Sequence, residues 1–572
     1  MIGQINRSLQ TTPFFSKKRV YTFLLTVLIF FLFVLPIIRL FSLSFFSDGT
    51  FTFANYIAIF AEASTWRILE NTFVMVFGST LLAIGLGLFF AWVVAYSDIR
   101  GKKLMQLFIL IPFIIPSYII TLSWTQFMGT NGLVGSFLGL FSIDTLPFNL
   151  YSMSGMIFVL GLSHFPLVFL FTVNVLRKIP RDMEWAARAS GATSQDVFRK
   201  ITLPLALPGL AGGGLLAFIA NLDNFGIPAF LGIPANITVL STAIYQEVVG
   251  FGPSAFARAA TLSVVLSVFA LLGTIIQWRL VRKAKHTDTV DQDFQPRYQL
   301  GRFRLVAEIM LWGFLLCITI VPFISMLMSS VIQAYGLPFR WDNLTLSHYR
   351  FVLFENNRVQ GAIGNSLFLA SVTTLICLVL GTALAYMRAR QPNALNRTLE
   401  GFVGLPYALP GMVLGLAMIF MWLEPIPGWN PGIYGTIGIL LIAYITRFMV
   451  LQVRGSFTAM AQVDPLMEEA AHLFGANAFV KWRRILTPLL LPGVVSGAFL
   501  VFLTALTELT VSSLLWSSGS ETIGLVIFNF EQAGYSTHST AFSMVIVTGI
   551  LATIASLYIV QHRWNRRLKH GN

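Results

Sequence analysis

A chain of 572 residues that is 56% hydrophobic and only 11% charged lies outside the range of soluble domains, which carry about 25% charged residues. Apolar stretches close to the roughly 20 residues needed to cross a hydrocarbon core recur along it, so the bilayer is its first expected partner. The formal net charge of +14 invites nucleic acid, but the basic residues sit in short clusters between apolar stretches, the pattern of cytoplasmic membrane loops, and no nucleic acid is expected.

In chain order, spans are predicted near 21–46, 68–97, 104–128, 150–176, 205–232 and 258–281, then near 305–332, 364–389, 399–423, 433–456, 489–517 and 541–562. The first begins at Tyr21 and passes Pro36 with no small-residue cleavage site, so it reads as an anchor helix rather than a signal peptide. Pro112 and Pro116, and Pro406 and Pro410, fall in the third span of each set and predict a kink there. Cys317 and Cys377 lie inside apolar stretches and read as small core residues. The seven histidines are scattered, no cluster has metal-ligand spacing, and no G-x-x-x-x-G-K-[ST] phosphate loop occurs. The chain is therefore read as a non-enzyme with no cofactor of its own.

The basic clusters set the expected topology. Lys17, Lys18 and Arg19 precede the first span, Arg100, Lys102 and Lys103 follow the second, and Arg177, Lys178, Arg181, Arg188, Arg199 and Lys200 lie between the fourth and fifth. Arg279, Arg282, Lys283 and Lys285 follow the sixth. The second half repeats this with Arg388, Arg390 and Arg397, then Lys481, Arg483 and Arg484, then Arg563, Arg566, Arg567 and Lys569. All fall on one side if both termini are cytoplasmic. The expected division is a tail at 1–20, a first half at 21–283 (core 68–281), a polar linker at 284–303, a second half at 304–565 (core 361–562) and a tail at 566–572.

The halves repeat. With an offset of 284, EWAARASGATSQDVFRKITLPLALPGLAGGGLLAF (184–218) matches EEAAHLFGANAFVKWRRILTPLLLPGVVSGAFLVF (468–502) at fifteen of thirty-five positions. An offset of 294 pairs Asn71 with Asn365, Pro112 with Pro406 and Pro116 with Pro410, which places a ten-residue insertion in the first half around 129–149. Six spans per repeat is an even number, so the halves run parallel. The repeated loop opens with a short Ala-rich helix that a glycine interrupts, and Pro204 and Pro488 are expected to restart the chain at the next span. It is too polar for lipid yet carries apolar residues, as a docking surface for a cytosolic partner would.

Glu-Ala-Ala, then Gly, then Ile-x-x-Pro resembles the cytoplasmic loop signature of permeases of binding-protein-dependent ATP-binding-cassette importers. The signature occurs twice, as Glu184, Ala186, Ala187 and Gly191 and as Glu468, Glu469, Ala470, Ala471 and Gly475. The first copy departs in carrying Trp185 where the second has Glu469, so its glutamate matches Glu468. The resemblance implies an all-α integral membrane protein of about twelve helices in two parallel six-helix repeats, the type I importer permease fold. It further implies coupling helices seated on two copies of a cytosolic ATPase that carries the ATP and magnesium, an extracytoplasmic substrate-binding protein, and a bacterial inner membrane. Asp223 and Glu508 are ionisable groups within spans, at near-equivalent places, Asn224 aligning with Glu508 and Asp223 with Thr507. Two readings stand for them: a cation-attracting path with transient metal contacts, or structural ties to backbone and neighbouring helices. Asn221, Asn224, Thr504 and Thr507 are candidate neutral lining, and Glu247, Glu521 and Glu531 fall on the outer side. Stretches such as DNFGIPAFLG and TELTVSSLL look most like ferric-iron importers, with 2-aminoethylphosphonate, thiamine, polyamine and sulfate carriers as relatives. An ion-coupled secondary transporter is the reading of a different class.

Overall fold

The computed structural model describes residues 17–47, 50–130, 132–143, 148–250, 255–282, 293–423 and 431–570. Most of the N-terminal tail, Lys283, Lys285 and linker residues up to 292 lie outside them.

Each half contributes nine principal helices. The first half has α1 (Thr22–Ser44), α2 (Ala63–Tyr96), α3 (Lys102–Ile114), α4 (Ser117–Met128), α5 (Met153–Leu176), α6 (Arg181–Ala189), α7 (Leu203–Asp223), α8 (Leu240–Val249) and α9 (Ala255–Arg282). The second has α10 (Gly301–Ser330), α11 (Asn357–Arg390), α12 (Ala394–Ala408), α13 (Gly411–Leu423), α14 (Ile437–Ala461), α15 (Leu466–Leu473), α16 (Thr487–Leu506), α17 (Ile523–Gln532) and α18 (Ser536–His570). Among the described residues ten helical runs are long and apolar enough to cross a membrane, and the bent pairs α3–α4 and α12–α13 bring the number to twelve. The one sheet described is a hairpin of two two-residue strands, Phe46–Ser47 with Thr50–Phe51.

Three differences from the sequence reading matter. The third span of each half is broken rather than kinked: α3 meets α4 at 103° and α12 meets α13 at 108°, with Pro116 and Pro410 at the breaks. Proline removes the backbone donor at that point and disfavours helix in the residue before it, so Ile115 and Leu409 take extended backbone. The fifth spans end early, at Asp223 and Leu506, and the chain turns there inside the bundle. Pro204 and Pro488 do not restart the chain. Five-residue π turns at Phe198–Thr202 and Trp482–Leu486 carry the helix through, Leu203 N–H bonding the Phe198 carbonyl and Thr487 N–H that of Trp482.

The core is built twice on one plan. α2 packs on α5 and α7, and α11 packs on α14 and α16. Small residues allow the close crossings that lipid-embedded helices need. A Cβ on Gly87 of α2 would stand 2.5 Å from Val168 of α5, and one on Gly493 of α16 the same distance from Ala459 of α14. The first helix of each half then crosses to the other half, α1 packing on α13 and α10 on α4. In both halves the long second helix holds the start of the far-end helix. Thr72 accepts from Leu240 N–H at 2.9 Å and Ser366 from Ile523 N–H at 2.9 Å, while Asn71 and Asn365 donate to the loops just before.

Gly87→Ala should therefore cost about 1–3 kcal/mol through overpacking against Val168, whereas Gly313→Ala in α10, whose Cβ would meet nothing, should cost none. Thermal unfolding of the two purified variants in detergent checks the difference.

Candidate functional site

Two regions collect the residues singled out in the sequence: the loop helices α6 and α15, and the helix breaks at the centre of the bundle.

The loop helices are built alike. Helix α6 ends in a Schellman motif, with Gly191 N–H bonded to the Arg188 carbonyl and Ala192 N–H to that of Ala187, both at 3.0 Å. Helix α15 repeats it with Gly475 on His472 and Ala476 on Ala471, also at 3.0 Å. The two glycines take φ of 86° and 76°, the left-handed region that side chains resist. Thr193 and Asn477 then cap the next helical turn. Outward, α6 exposes Met183 and Trp185, and the α15 loop exposes Leu466, Met467, Leu473, Phe474 and Phe479. Glu469 and Ala470 are exposed beside them, whereas Ala471 is buried.

Glu184 and Glu468, expected at a partner's surface, point into the protein instead. Glu184 is 3% exposed and takes a salt bridge from Arg297 at 3.1 Å and the Thr202 hydroxyl at 2.8 Å. Glu468 is held by Arg390 at 2.6 Å, Lys481 at 3.0 Å and the Tyr386 hydroxyl at 2.9 Å. Burial raises the Glu468 carboxyl, but Lys481, Arg390 and Tyr386 outweigh it and hold it below the ordinary carboxylate range. The anchor's contribution is thus complete above that range and is lost as pH falls through the depressed value.

At the centre, the carboxylates are ties. The Glu508 side chain accepts from Val511 N–H at 2.7 Å and Ser512 N–H at 3.0 Å, restarting the chain after α16 breaks. Its repeat partner Asn224 does the same after α7, accepting from Ile227 N–H at 2.9 Å. Asp223 reaches into the other half, accepting from Gly411 N–H at 2.5 Å at the start of α13 and from Arg447 Nη2 of α14 at 2.7 Å. The guanidinium lies so close to α13 that a Cβ on Gly411 would meet Arg447 Nη1 at 2.5 Å. Asn221, expected as lining, is fully buried between His164 at 2.6 Å and Thr80 at 3.1 Å.

A cavity of about 190 Å³ opens beside these ties. Glu508, Asn224, Thr504, Thr507, Arg447 and Ser117 line it, whereas Asp223 does not. Thr504 and Thr507 bond their hydroxyls back to Leu500 and Leu503. The two carboxylates therefore do not form a bare facing pair, because Arg447 pairs with one and borders the cavity of the other. Arg447 lies well inside a span, in the run ITRFMVL, so the rule that singled out Asp223 and Glu508 also applies to it. At the far end, Glu247 is tied with Glu62 to Arg258, Glu521 accepts from Gly519 N–H, and Glu531 from Ser536.

Asp223→Ala should leave the Arg447 charge buried and unpaired, a loss on the order of 3 kcal/mol, and Arg447→Met in the same chain should restore most of it, as thermal unfolding would show. Glu468→Gln should shrink the drop in Tm between neutral and acid pH, since the carboxylate whose protonation drives part of it is gone.

The model of the family described as binding-protein-dependent transport system inner membrane component matches the chain twice, over residues 83–286 and 377–570. The ferric transport system permease protein FbpB of Actinobacillus pleuropneumoniae is 25% identical over 533 residues, 92% of this chain and 76% of its own. The molybdenum transport system permease protein ModB of Escherichia coli (strain K12) is 30% identical over 203 residues, 35% of this chain and 86% of its own. Among solved structures, a bacterial alginate ABC transporter in complex with an alginate pentasaccharide-bound periplasmic protein aligns at 20% identity, with a TM-score of 0.38, over 47% of this chain and 97% of that one.

Proposed function

We propose a function from one premise: this chain belongs to the family of binding-protein-dependent transport system inner membrane components, which each of its halves matches in turn. It is the permease subunit of an ATP-binding-cassette importer, both halves fused in one polypeptide. The finer reading has four parts. The basic loop face with α6 and α15 is cytoplasmic, as are both termini. Two copies of a separate ATPase, which hold ATP and magnesium, dock on these helices. An external binding protein delivers the substrate at the far end. The substrate is ferric iron.

The observation that carries the coupling reading is the duplicated loop helix, stopped by a left-handed glycine, anchored from behind by a glutamate held in a salt bridge, and exposing an apolar face. Cycles of ATP binding would move α6 and α15, and the anchors on the π turn before α7, on α11 and on the linker would pass that motion to the helix breaks. At the breaks, the Asp223 link to Gly411 and Arg447 ties the two halves across the path, so opening must stretch or exchange it. Ferric iron is supported by the ferric-transport name of a relative aligned over most of the chain. Arg447 on the cavity wall favours one other reading, an oxyanion cargo, which agrees with the molybdenum-transport relative.

Purification of the chain with its ATPase tests the coupling reading. A stable complex is expected, and Gly191→Val with Gly475→Val should weaken it at least tenfold, since each valine costs about 1–2 kcal/mol in the left-handed region. Uptake driven by an ion gradient without any ATPase would instead establish a secondary transporter. Liposomes holding the complex, supplied with binding protein charged with ferric ion or with molybdate, decide between the cargoes by which one accumulates.

A further inference from the structure

The segment that joins the halves reads in the sequence as a polar linker. Its described part is laid down as an irregular strip against the first loop helix. Asp293 N–H bonds the Arg177 carbonyl at 2.8 Å, Arg297 and Tyr298 N–H both bond the Tyr96 carbonyl, at 2.7 and 3.0 Å, and Leu300 N–H bonds Asp98 at 3.1 Å. These bonds tie the strip to the end of α2 and the start of the α5–α6 turn.

The strip grips α6 along one face. Arg181, Glu184 and Arg188 are spaced at i, i+3 and i+7, so they share a side of the helix. Arg181 is paired with the Asp293 carboxylate and donates to the Gln295 carbonyl at 2.7 Å. Glu184 takes Arg297. The Arg188 guanidinium stacks 4.9 Å over the Tyr298 ring. Arg297 is itself 5% exposed, lies 4.4 Å over the Tyr96 ring and donates to the Ile179 carbonyl.

The second half does this job without a linker. Glu468 is neutralised by Arg390 from the end of α11 and Lys481 from its own loop, and Lys481 lies 5.4 Å over the Tyr386 ring. In each half a cation lying over a tyrosine holds the glutamate, Lys481 over Tyr386 in one and Arg297 over Tyr96 in the other, although the tyrosines are not repeat partners, Tyr96 aligning with Arg390. Val197 stands in the first half where Lys481 stands in the second, so the first loop cannot supply that cation itself.

We propose that linker residues 293–300 are a positioning element for the first coupling helix, with Arg297 replacing the anchor cation that the first half lacks. The fusion of the halves is then functional: the chain entering α10 of the second half seats α6 of the first, so movement of the second half is felt directly at the first ATPase-docking helix. This rests on the reading of α6 as that docking helix.

The test uses the full chain and separates the two ideas. Hydrogen exchange is followed in the purified protein at 181–189 and 466–473, and retention of the copurifying ATPase is followed alongside. Arg297→Met should speed exchange at 181–189 by about tenfold or more, leave 466–473 unchanged, and reduce ATPase retention. Arg297→Lys, which keeps the charge, should recover most of both effects. Equal exchange at 181–189 in the parent and Arg297→Met overturns the proposal, as does an equal rise at both helices. Should Arg297→Met fail to accumulate, Tyr298→Ala is read in the same way. Loosening of 181–189 with ATPase retention unaffected would keep the linker's grip and overturn the docking role of α6.

Discussion

Within the hydrocarbon layer a backbone amide has no water to turn to, and every helix break there must be closed by the protein itself. This constraint organises the centre of the molecule. The helices of the third and fifth spans stop inside the bundle, and the residues at the stops are the ones that bond the freed amides. Asn224 and Glu508 each close a break within their own half. Asp223 closes one in the opposite half, bringing Arg447 with it. Of the groups that keep the backbone satisfied, Asp223 thus also holds the halves together, and Asn224 and Glu508 border the cavity.

The two halves agree in backbone and differ in charge. Their core triads, crossed first helices, broken third spans, π turns and Schellman glycines are all paired. At paired places the side chains diverge: asparagine against glutamate at the breaks, and valine against lysine in the loops, where the linker arginine takes over the anchoring. A duplicated fold under one membrane constraint keeps its geometry, while each half finds its own donors and acceptors. The centre carries an aspartate and an arginine from opposite halves in a single pair, so its polar groups have no twofold symmetry even where the helices do.

That pair sets what motion requires. Separating Asp223 from Arg447 would leave two charges in a low-dielectric interior, which is costly unless water or cargo takes the place of the lost partner. The cavity borders Arg447 and not Asp223, so the guanidinium is the member of the pair that such a replacement could reach.

Hydropathy, the duplicated loop and the spread of basic residues made the helical membrane fold and its two-part plan legible, because lipid imposes length and polarity on each span separately. Pro116 and Pro410 were visible as irregularities, but a break above 100° depended on where α4 and α13 could pack. Gly191 and Gly475 could be read as helix stops, since a left-handed C-cap is a local requirement. The roles of Glu184, Glu468, Asp223 and Glu508 could not be read in this way. A carboxylate in the sequence is equally a docking charge, an ion contact or a cap, and only its partners decide. Three of those partners, Arg297, Arg447 and the amide of Gly411, were brought there by chain folding across as many as 224 positions, whereas the Val511 amide lies three residues beyond Glu508. The sequence by itself determined what could enter the membrane, because that is settled residue by residue; the tertiary structure decided which charges meet, because that depends on where two distant helices end.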